Sequence, residues 1–260
     1  MENPVFPQVH VSKGCAVQTP PVPGAWQLTL LQATGGYRFS LEAFLLADFV
    51  SAPSPSPLLD LGTGCGVVAL FLARRFPLLR IIGMELQASL VNIARQNALH
   101  NGLAAQVSLL QADARHAGRL FPAGAFGTVV CNPPYRVVGS GRLNPNLEKA
   151  MARHELTLTL AQLVQACQHM LTRGGLLALV YHPSRLAELC ARLEAAHLRP
   201  QRMRLVHATP QAVATMVLVE AVQGGAGALT VLPPLFVYAA RGCYSAEMQA
   251  IFAGRALPRP

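Results

Sequence analysis

The chain has 260 residues, of which 52% are hydrophobic and only 13% are charged. This composition suits one large domain, or one domain with extensions, and it excludes an intrinsically disordered chain. The apolar runs are too short and broken to span a bilayer, and residues 1–10 lack the features of a signal peptide, so we expect a soluble cytoplasmic protein, monomeric by default. The net charge of +9 favours a polyanionic partner, most simply a nucleic acid.

The N-terminal part of the chain is predicted to lead into the main domain. Residues 1–24 are rich in Pro, Gly and Val and are predicted to be irregular, whereas residues 26–32 alternate as a strand does. Ser40 is a candidate N-cap for a helix over residues 41–50, and the Pro- and Ser-rich segment 51–57 ends that helix. The predicted units are an N-terminal extension, residues 1–56, and a domain with a C-terminal extension, residues 57–260.

Beyond residue 57, short apolar runs alternate with helical segments. This alternation predicts an α/β domain with a mainly parallel sheet, and such sheets bind ligands at the carboxyl ends of their strands. The predicted strands are residues 58–61, 80–85, 107–110, 126–131, 175–181, 202–207 and 215–222. The predicted helices are residues 67–76, 88–99, 156–171 and 186–196, and a further helix begins at Ser245.

A glycine-rich loop follows the first predicted strand of this domain. Its sequence, DLGTGCG, puts an acid before a G-x-G-x-G pattern that leads into a helix. A dinucleotide fingerprint would need Gly or Ala where Val67 stands, so the loop departs from that pattern. A cationic ligand would explain the acid. The residues of this loop that we expect to contact a cofactor are Asp60, Gly62, Thr63, Gly64 and Gly66.

Two further acids end the next two predicted strands. Glu85, followed by Leu86, is placed to accept hydrogen bonds from the hydroxyls of a ribose. Asp113, followed by Ala114, is placed either to accept a hydrogen bond from the amino group of an adenine or to cap a following helix. Because the carboxyl ends of parallel strands meet at one edge, the three acids converge, and we predict a nucleoside-type cofactor site there.

The tetrapeptide Asn132-Pro133-Pro134-Tyr135 follows the fourth predicted strand. The prolines fix the backbone, and the carbonyls of Asn132 and Pro133 remain free to accept hydrogen bonds, as does the Asn132 side chain. Two acceptors that hold the N–H groups of an exocyclic amine would aim its lone pair at an incoming methyl group, while Tyr135 stacks on the plane of a base that has left its stack. The motif therefore predicts methyl transfer to nitrogen, with Asn132 also bordering the cofactor.

These motifs resemble those of the class I S-adenosylmethionine-dependent methyltransferases. In this resemblance, residues 60–66 form the first motif, Glu85 is the ribose acid, Asp113 the adenine contact, and residues 132–135 the amino-methyltransferase motif. The resemblance implies a Rossmann-like, seven-stranded, mainly parallel sheet with the last strand antiparallel. It also implies S-adenosylmethionine as cofactor and S-adenosylhomocysteine as product, with no metal. The scattered cysteines, without a C-x-x-C pair, agree with the absence of a zinc site.

Other segments resemble the bacterial tRNA adenine-N6 methyltransferases that modify valine tRNA. The similar segments are residues 35–43 (GGYRFSLEA), 144–146 (NPN), 152–156 (ARHEL) and parts of residues 233–248. The resemblance implies methylation of the N6 amine of an adenine beside the anticodon of valine tRNA. Two features depart from the family: Glu42 stands where Asp is usual, and residues 211–214 lack the basic side chains that would contact RNA there.

Basic residues flank the predicted pocket along the sequence. They would contact phosphates without reading bases, and such contacts are sensitive to salt. The candidates are Arg38, Arg136, Arg142, Lys149 and Arg153. By contrast, we interpret Arg74 and Arg75 as a solvated helix end.

Three alternative functions remain open at this point. A protein glutamine-N5 methyltransferase would use the same tetrapeptide, but its family has a sizeable helical N-terminal domain, and only about 50 residues precede the sheet here. A guanine-N2 ribosomal RNA methyltransferase would often have Phe where Tyr135 stands, together with an extra RNA-binding domain. A non-catalytic RNA-binding scaffold would not need the intact acids and Asn132.

Overall fold

The computed structural model of the protein describes residues 17–18, 28–32, 41–51, 53, 57–133, 158–240 and 242–254. The strands are β1 (Val17–Gln18), β2 (Leu31–Gln32), β3 (Leu58–Leu61), β4 (Ile81–Glu85), β5 (Val107–Gln111), β6 (Phe126–Cys131), β7 (Leu171–Tyr181), β8 (Leu198–His207), β9 (Ala214–Gln223), β10 (Thr230–Val231), β11 (Leu235–Phe236), β12 (Tyr238–Ala240) and β13 (Cys243–Tyr244). The α-helices are α1 (Leu41–Phe49), α2 (Val67–Arg75), α3 (Ala88–His100), α4 (Ala117–Leu120), α5 (Leu160–Met170), α6 (Leu186–Ala195) and α7 (Ala246–Phe252).

The main sheet has the strand order β10-β8-β9-β7-β6-β3-β4-β5, and β11 also pairs with β8. Strands β3 to β7 are mutually parallel, while β9 lies antiparallel between β7 and β8. Strands β3 to β9 therefore confirm the predicted seven-stranded sheet with its last strand antiparallel. The short strands β10 and β11, which run parallel to β8, were not predicted.

The parallel order brings the predicted motifs to one edge of the sheet. Every residue of β3 and β6 is buried, as expected for strands covered by helices on both faces. The register pairs Leu61 with both Met84 and Cys131, so the loops that follow β3, β4 and β6 begin side by side. Strands β7 and β8 begin earlier than predicted, at residues 171 and 198, because polar residues there interrupt the apolar runs on which the prediction rested.

The strand predicted over residues 26–32 is wrong in its extent. Within the described residues 28–32, only Leu31–Gln32 form a strand, which pairs with β1 in the segment predicted to be irregular. Two asparagine side chains, Asn97 of α3 and Asn101 directly after it, satisfy much of the remaining backbone: Asn101 accepts from Thr29 N (2.9 Å) and donates to Thr29 O (2.8 Å). Asn97 likewise accepts from Leu31 N (2.6 Å) and donates to Leu31 O (3.0 Å). A side-chain carboxamide thus pairs with backbone groups that a neighbouring strand would otherwise pair. The alternation typical of a strand does not indicate such contacts.

Replacing Asn97 with alanine is expected to lower the free energy of unfolding by about 2–3 kcal/mol, because buried backbone groups would lose their partners. The Asn97 side chain is fully buried and also donates to Cys65 O (2.9 Å) in the glycine loop. Chemical denaturation measures the loss. Asn92→Ala is the matched control, since Asn92 is exposed on the same helix, and its effect should be near zero. Equal effects of the two substitutions would contradict the role given to Asn97.

The end of α1 is fixed by an arginine from α2. Arg75 Nη1 donates to the carbonyls of Ala47 (2.6 Å), Asp48 (2.8 Å) and Val50 (2.8 Å). These carbonyls at the C-terminal end of a helix have no partner within the helix, so the guanidinium caps them. Arg74 Nη2 donates to Asn101 O (2.9 Å). The interpretation of these residues as a solvated helix end is therefore wrong for the half-buried Arg75, while Arg74 is exposed as expected.

An ion pair between strands β8 and β9 holds the same helix end. Arg202 of β8 and Glu220 of β9 lie 2.9 Å apart, and Glu220 is only 3% exposed. Glu220 Oε1 accepts from Ser51 N (2.7 Å), and Arg202 Nη2 donates to Phe49 O. The Arg202 guanidinium also lies over the Phe49 ring, 4.4 Å from its centroid. We call Arg75, Arg202 and Glu220 together the α1 anchor.

The C-terminal part packs against α1 as well. Ser245 caps α7 by accepting from Met248 N (3.1 Å), which confirms the helix predicted from that residue. Phe252 at the end of α7 meets Phe44 of α1 edge-on, with ring centroids 5.2 Å apart. Helix α1 is itself confirmed, while its predicted N-cap, Ser40, lies outside the described residues. None of the helices in the described part of the chain is long and apolar enough to cross a membrane.

Candidate functional site

The glycine loop between β3 and α2 leaves its backbone open on one side. Gly62, Gly64 and Gly66 have φ angles of 75°, 58° and 86°, which favour glycine. A Cβ atom added at Gly62 or Gly64 would meet nothing within 4 Å, whereas one at Gly66 would lie 3.2 Å from the Cβ of Ala94. Gly66 therefore serves the packing of α3, while the first two glycines leave room for a ligand against the backbone.

Asp60 lies beneath this loop and holds it together. Its carboxylate is 1% exposed, and Oδ2 accepts from Thr63 Oγ1 (2.6 Å) and from Ala69 N (3.1 Å). The loop is thereby tied to the first turn of α2. Burial raises the pKa of the Asp60 carboxyl to about 6, while the hydrogen bonds from Thr63 and Ala69 act in the opposite direction.

Stability is expected to depend on pH through Asp60. The native carboxyl keeps its proton up to a pKa of about 6, whereas the unfolded chain releases it near the ordinary value of 3.8. Between these values the native state binds more protons than the unfolded state, so the free energy of unfolding falls as the pH rises. A shift of this size corresponds to about 3 kcal/mol. The variant Asp60→Asn has no titrating group at this position. Its free energy of unfolding, relative to that of the wild type, should therefore rise by about 2–3 kcal/mol as the pH increases from about 4 to about 7.5.

Urea denaturation of both proteins at the two pH values measures this gain. Comparing the variant with the wild type cancels the titration of all other groups. A difference between the two proteins that stays the same at both pH values would show that the Asp60 carboxyl titrates normally.

Glu85 ends β4 with its carboxylate turned to the same loop. Oε2 accepts from Gly64 N (3.1 Å) and Oε1 accepts from Gln87 N (2.9 Å), and the side chain is buried. A carboxylate has about four lone-pair sites, so both oxygens can accept further hydrogen bonds. Leu86 beside it is 40% exposed and presents apolar surface at the sheet edge.

Asp113 follows β5 and acts as a helix cap. It accepts from Arg115 N (2.9 Å) at the start of the short turn Ala114–His116, and it forms an ion pair with the Arg115 side chain. The Arg115 guanidinium holds the pKa of Asp113 below its ordinary value. The capping alternative is therefore observed, and a contact of Asp113 with an adenine stays a prediction.

The first half of the predicted catalytic tetrapeptide follows β6 directly. Asn132 and Pro133 are half-buried, next to the fully buried β6. Cys131 before them is buried, as Cys65 is, and burial raises the pKa of the Cys131 thiol well above the ordinary value. The predicted site residues that lie outside the described residues are Pro134, Tyr135, Arg38, Arg136, Arg142, Lys149 and Arg153.

A cleft of about 480 Å³ opens beside Pro133. Side chains that the sequence analysis did not single out form its wall: Tyr181 at the end of β7, with Arg185, Glu188 and Arg192 around α6. Arg185, Glu188 and Arg192 follow one another at spacings of three and four residues, which puts them on one helix face. This spacing can be read from the sequence. Within the described ranges, no three His, Cys, Asp or Glu side chains lie together as metal ligands would.

A sheet of this order, with a glycine-rich loop after β3 and Asn-Pro after β6, defines the class of Rossmann-like methyltransferases. A family model described as the methyltransferase small domain matches residues 42–195. The chain belongs to this family, and the resemblance to methyltransferases noted from the sequence is confirmed.

Two relatives carry the name tRNA1(Val) (adenine(37)-N6)-methyltransferase. The protein from Vibrio campbellii is 30% identical over 149 residues, which are 57% of this chain and 60% of the relative. The protein from Porphyromonas gingivalis is 35% identical over 153 residues, which are 58% of each chain. The matched region thus spans about three fifths of the length of these relatives.

Solved structures share the fold. A predicted O-methyltransferase from Agrobacterium tumefaciens has a TM-score of 0.67 at 22% identity, covering 83% of this chain and 97% of its own. A geranyl diphosphate methyltransferase in complex with SAM has a TM-score of 0.51 at 16% identity, covering 70% of this chain and 84% of its own. At these identities the likeness concerns the fold, which agrees with the predicted fold class.

Proposed function

We propose that this protein transfers a methyl group from S-adenosylmethionine to the exocyclic N6 amine of an adenine in tRNA. One observation carries the proposal: Asn132 and Pro133 leave β6 at the sheet edge where the open glycine loop leaves the neighbouring β3. An amine acceptor motif and a nucleoside-type site therefore lie side by side.

The residues at the edge fit the cofactor. The backbone at Gly62 and Gly64 has open space above it, Glu85 has lone pairs for a ribose, and Leu86 offers exposed apolar surface for an adenine ring. The Asp60 carboxylate beneath the loop adds negative charge on the side of a cationic ligand. When bound there, S-adenosylmethionine supplies an activated methyl group. The geranyl diphosphate methyltransferase with SAM bound gives a precedent for this cofactor on the same fold.

The chain itself contributes alignment and charge stabilisation. The Asn132 side-chain oxygen and the Pro133 carbonyl accept the two N–H groups of the substrate amine and so direct its lone pair. The same two oxygens stabilise the positive charge that develops on nitrogen as its bond to carbon forms. Since the methyl donor is already activated, positioning supplies most of the remaining effect.

The choice of tRNA adenine rests on the relatives and on charge. Both relatives described above are named for adenine 37 of a valine tRNA, and a net charge of +9 suits a polyanionic substrate. The N-terminal segment at Thr29 and Leu31 packs on α3, and α1 on the sheet, so this part does not form the separate helical domain that the glutamine alternative would need. A tRNA substrate would place the enzyme in the cytoplasm.

The proposal is tested by incubating the purified protein with methyl-labelled S-adenosylmethionine and tRNA transcribed in vitro, which carries no modifications. Digestion to nucleosides and mass spectrometry then identify the product. N6-methyladenosine is the expected result, and assays of single tRNAs should find valine tRNA preferred. If tRNA gains no label but ribosomal RNA gains methylguanosine, the guanine-N2 alternative replaces the proposal. If instead a release factor gains methylglutamine, the glutamine-N5 alternative replaces it. Cofactor binding without transfer to any of these substrates would favour the scaffold.

A further inference from the structure

The cleft beside Pro133 lies on the opposite side of β6 from the glycine loop. In the register of β6 and β7, Cys131 pairs with Leu179, so Pro133 and Tyr181 leave neighbouring strands at the same level. The cleft occupies the space between these two strand ends, α6 and the first turn of α5. A substrate whose amine is held at Pro133 would therefore extend its remaining parts into or across this cleft.

The wall formed by α6 is charged along one face. Arg185 occupies the N-cap position of the helix, and Glu188 and Arg192 follow at spacings of three and four residues. Arg185 Nε lies 3.0 Å from Glu188 Oε2, and the Arg185 guanidinium lies over the Tyr181 ring, 5.5 Å from its centroid. The three charged side chains carry a net charge of one positive unit.

We infer that Arg185 and Arg192 bind phosphate groups of the RNA strand that carries the target base, an inference that rests on the proposed function. Guanidinium groups match phosphate with two parallel hydrogen bonds, and their contacts need no particular base. The stretch of helix from Arg185 to Arg192 spans about 10 Å, so each arginine reaches a different phosphate.

Glu188 competes with RNA for Arg185. The carboxylate pairs with the guanidinium in the free protein, and the Tyr181 ring, 5.5 Å from it, holds that guanidinium at the cleft. The neighbouring Arg185 also keeps the pKa of Glu188 below its ordinary value, so the carboxylate is charged at neutral pH. The negative charge of Glu188 repels a phosphate. When RNA binds, a phosphate therefore replaces Glu188 as the partner of Arg185.

The test measures the affinity of the full-length protein for unmodified valine tRNA, the salt dependence of that affinity, and KM and kcat for methylation. Arg185→Ala and Arg192→Ala are each expected to weaken binding about tenfold and to raise KM by a similar factor with kcat little changed. Each should also lower the slope of log affinity against log salt by about 0.7–0.9. Glu188→Gln is expected to tighten binding about twofold to threefold, a change of opposite sign that a merely structural role would not produce.

Arg173→Ala is the matched control. Arg173 is exposed near the start of β7, at the opposite end of the strand from Tyr181, and its loss removes the same unit of charge. If the wild type methylates tRNA but Arg185→Ala and Arg192→Ala bind like Arg173→Ala, the inference is overturned and the proposed function stands. If the wild type methylates no tRNA, both are overturned. Weaker binding by Glu188→Gln would contradict the electrostatic role of the cleft.

Discussion

Asn132→Ala is expected to lower kcat for methyl transfer about 100-fold to 1000-fold, the cost of removing one preorganised polar group from a transition state. Asn132 leaves β6 at the same edge as the glycine loop but is not part of that loop. Its side chain should therefore matter most as the amine becomes positively charged. The dissociation constant of S-adenosylmethionine should change less than about threefold, because the loop and Glu85 remain intact.

Single-turnover kinetics and calorimetric titration with the cofactor separate the two effects. Asn132→Asp is the informative companion, since it keeps an acceptor oxygen in place and should retain more activity than Asn132→Ala. An alanine variant that methylates at the wild-type rate would show that Asn132 does not align the amine. A variant that loses cofactor affinity in proportion to its rate would place Asn132 in the cofactor site alone.

Glu220→Ala is expected to destabilise the protein by about 3–5 kcal/mol, the typical cost of leaving one partner of a buried ion pair unpaired. Glu220 is 3% exposed and contacts both Arg202, whose side chain is 20% exposed, and Ser51 N, so its loss leaves a half-buried cation and a half-buried N–H group without this acceptor. Denaturation by urea, followed by circular dichroism, measures the change in the free energy of unfolding.

Glu194→Ala provides the matched control for this effect. Glu194 pairs with Arg199 at 3.4 Å, and both side chains are about half exposed, at 49% and 48%. Exposed pairs contribute about 0–1 kcal/mol, so the variant should unfold almost like the wild type. Similar losses for Glu220→Ala and Glu194→Ala would mean that the α1 anchor contributes no more than a surface contact.

The sequence predicted those parts of the fold that depend on local pattern. The strands at Leu58–Leu61 and Phe126–Cys131 were located to the residue, because each is a short apolar run between turn signals and helices. The meeting of the glycine loop, Glu85 and Asn132 at one edge followed from the parallel order alone. The positions of Asp60 and Glu85 agree with that prediction, although both carboxylates also hold the loop itself, which the sequence did not indicate.

What the sequence could not predict are contacts between residues far apart along the chain. Asn97 and Leu31 are 66 positions apart, and Ser51 and Glu220 are 169 positions apart. A polar residue in a helix or strand has the same local pattern whether it faces solvent or a distant carbonyl, so Asn97 carried no signal of its partners. The charged face of α6 could have been noticed from its helical spacing, but its nearness to Pro133 depends on the register of β7.

The α1 anchor also constrains the order in which the chain assembles during its synthesis. Helix α1 leaves the ribosome early, yet Arg202 and Glu220, which secure its end, are made more than 150 residues later. Closing so long a loop is costly in entropy before the sheet exists, and chains with such distant contacts fold slowly. The helix therefore gains its last contacts only once β8 and β9 have joined the sheet, and until then α2 is a neighbour that can cover its buried apolar residues.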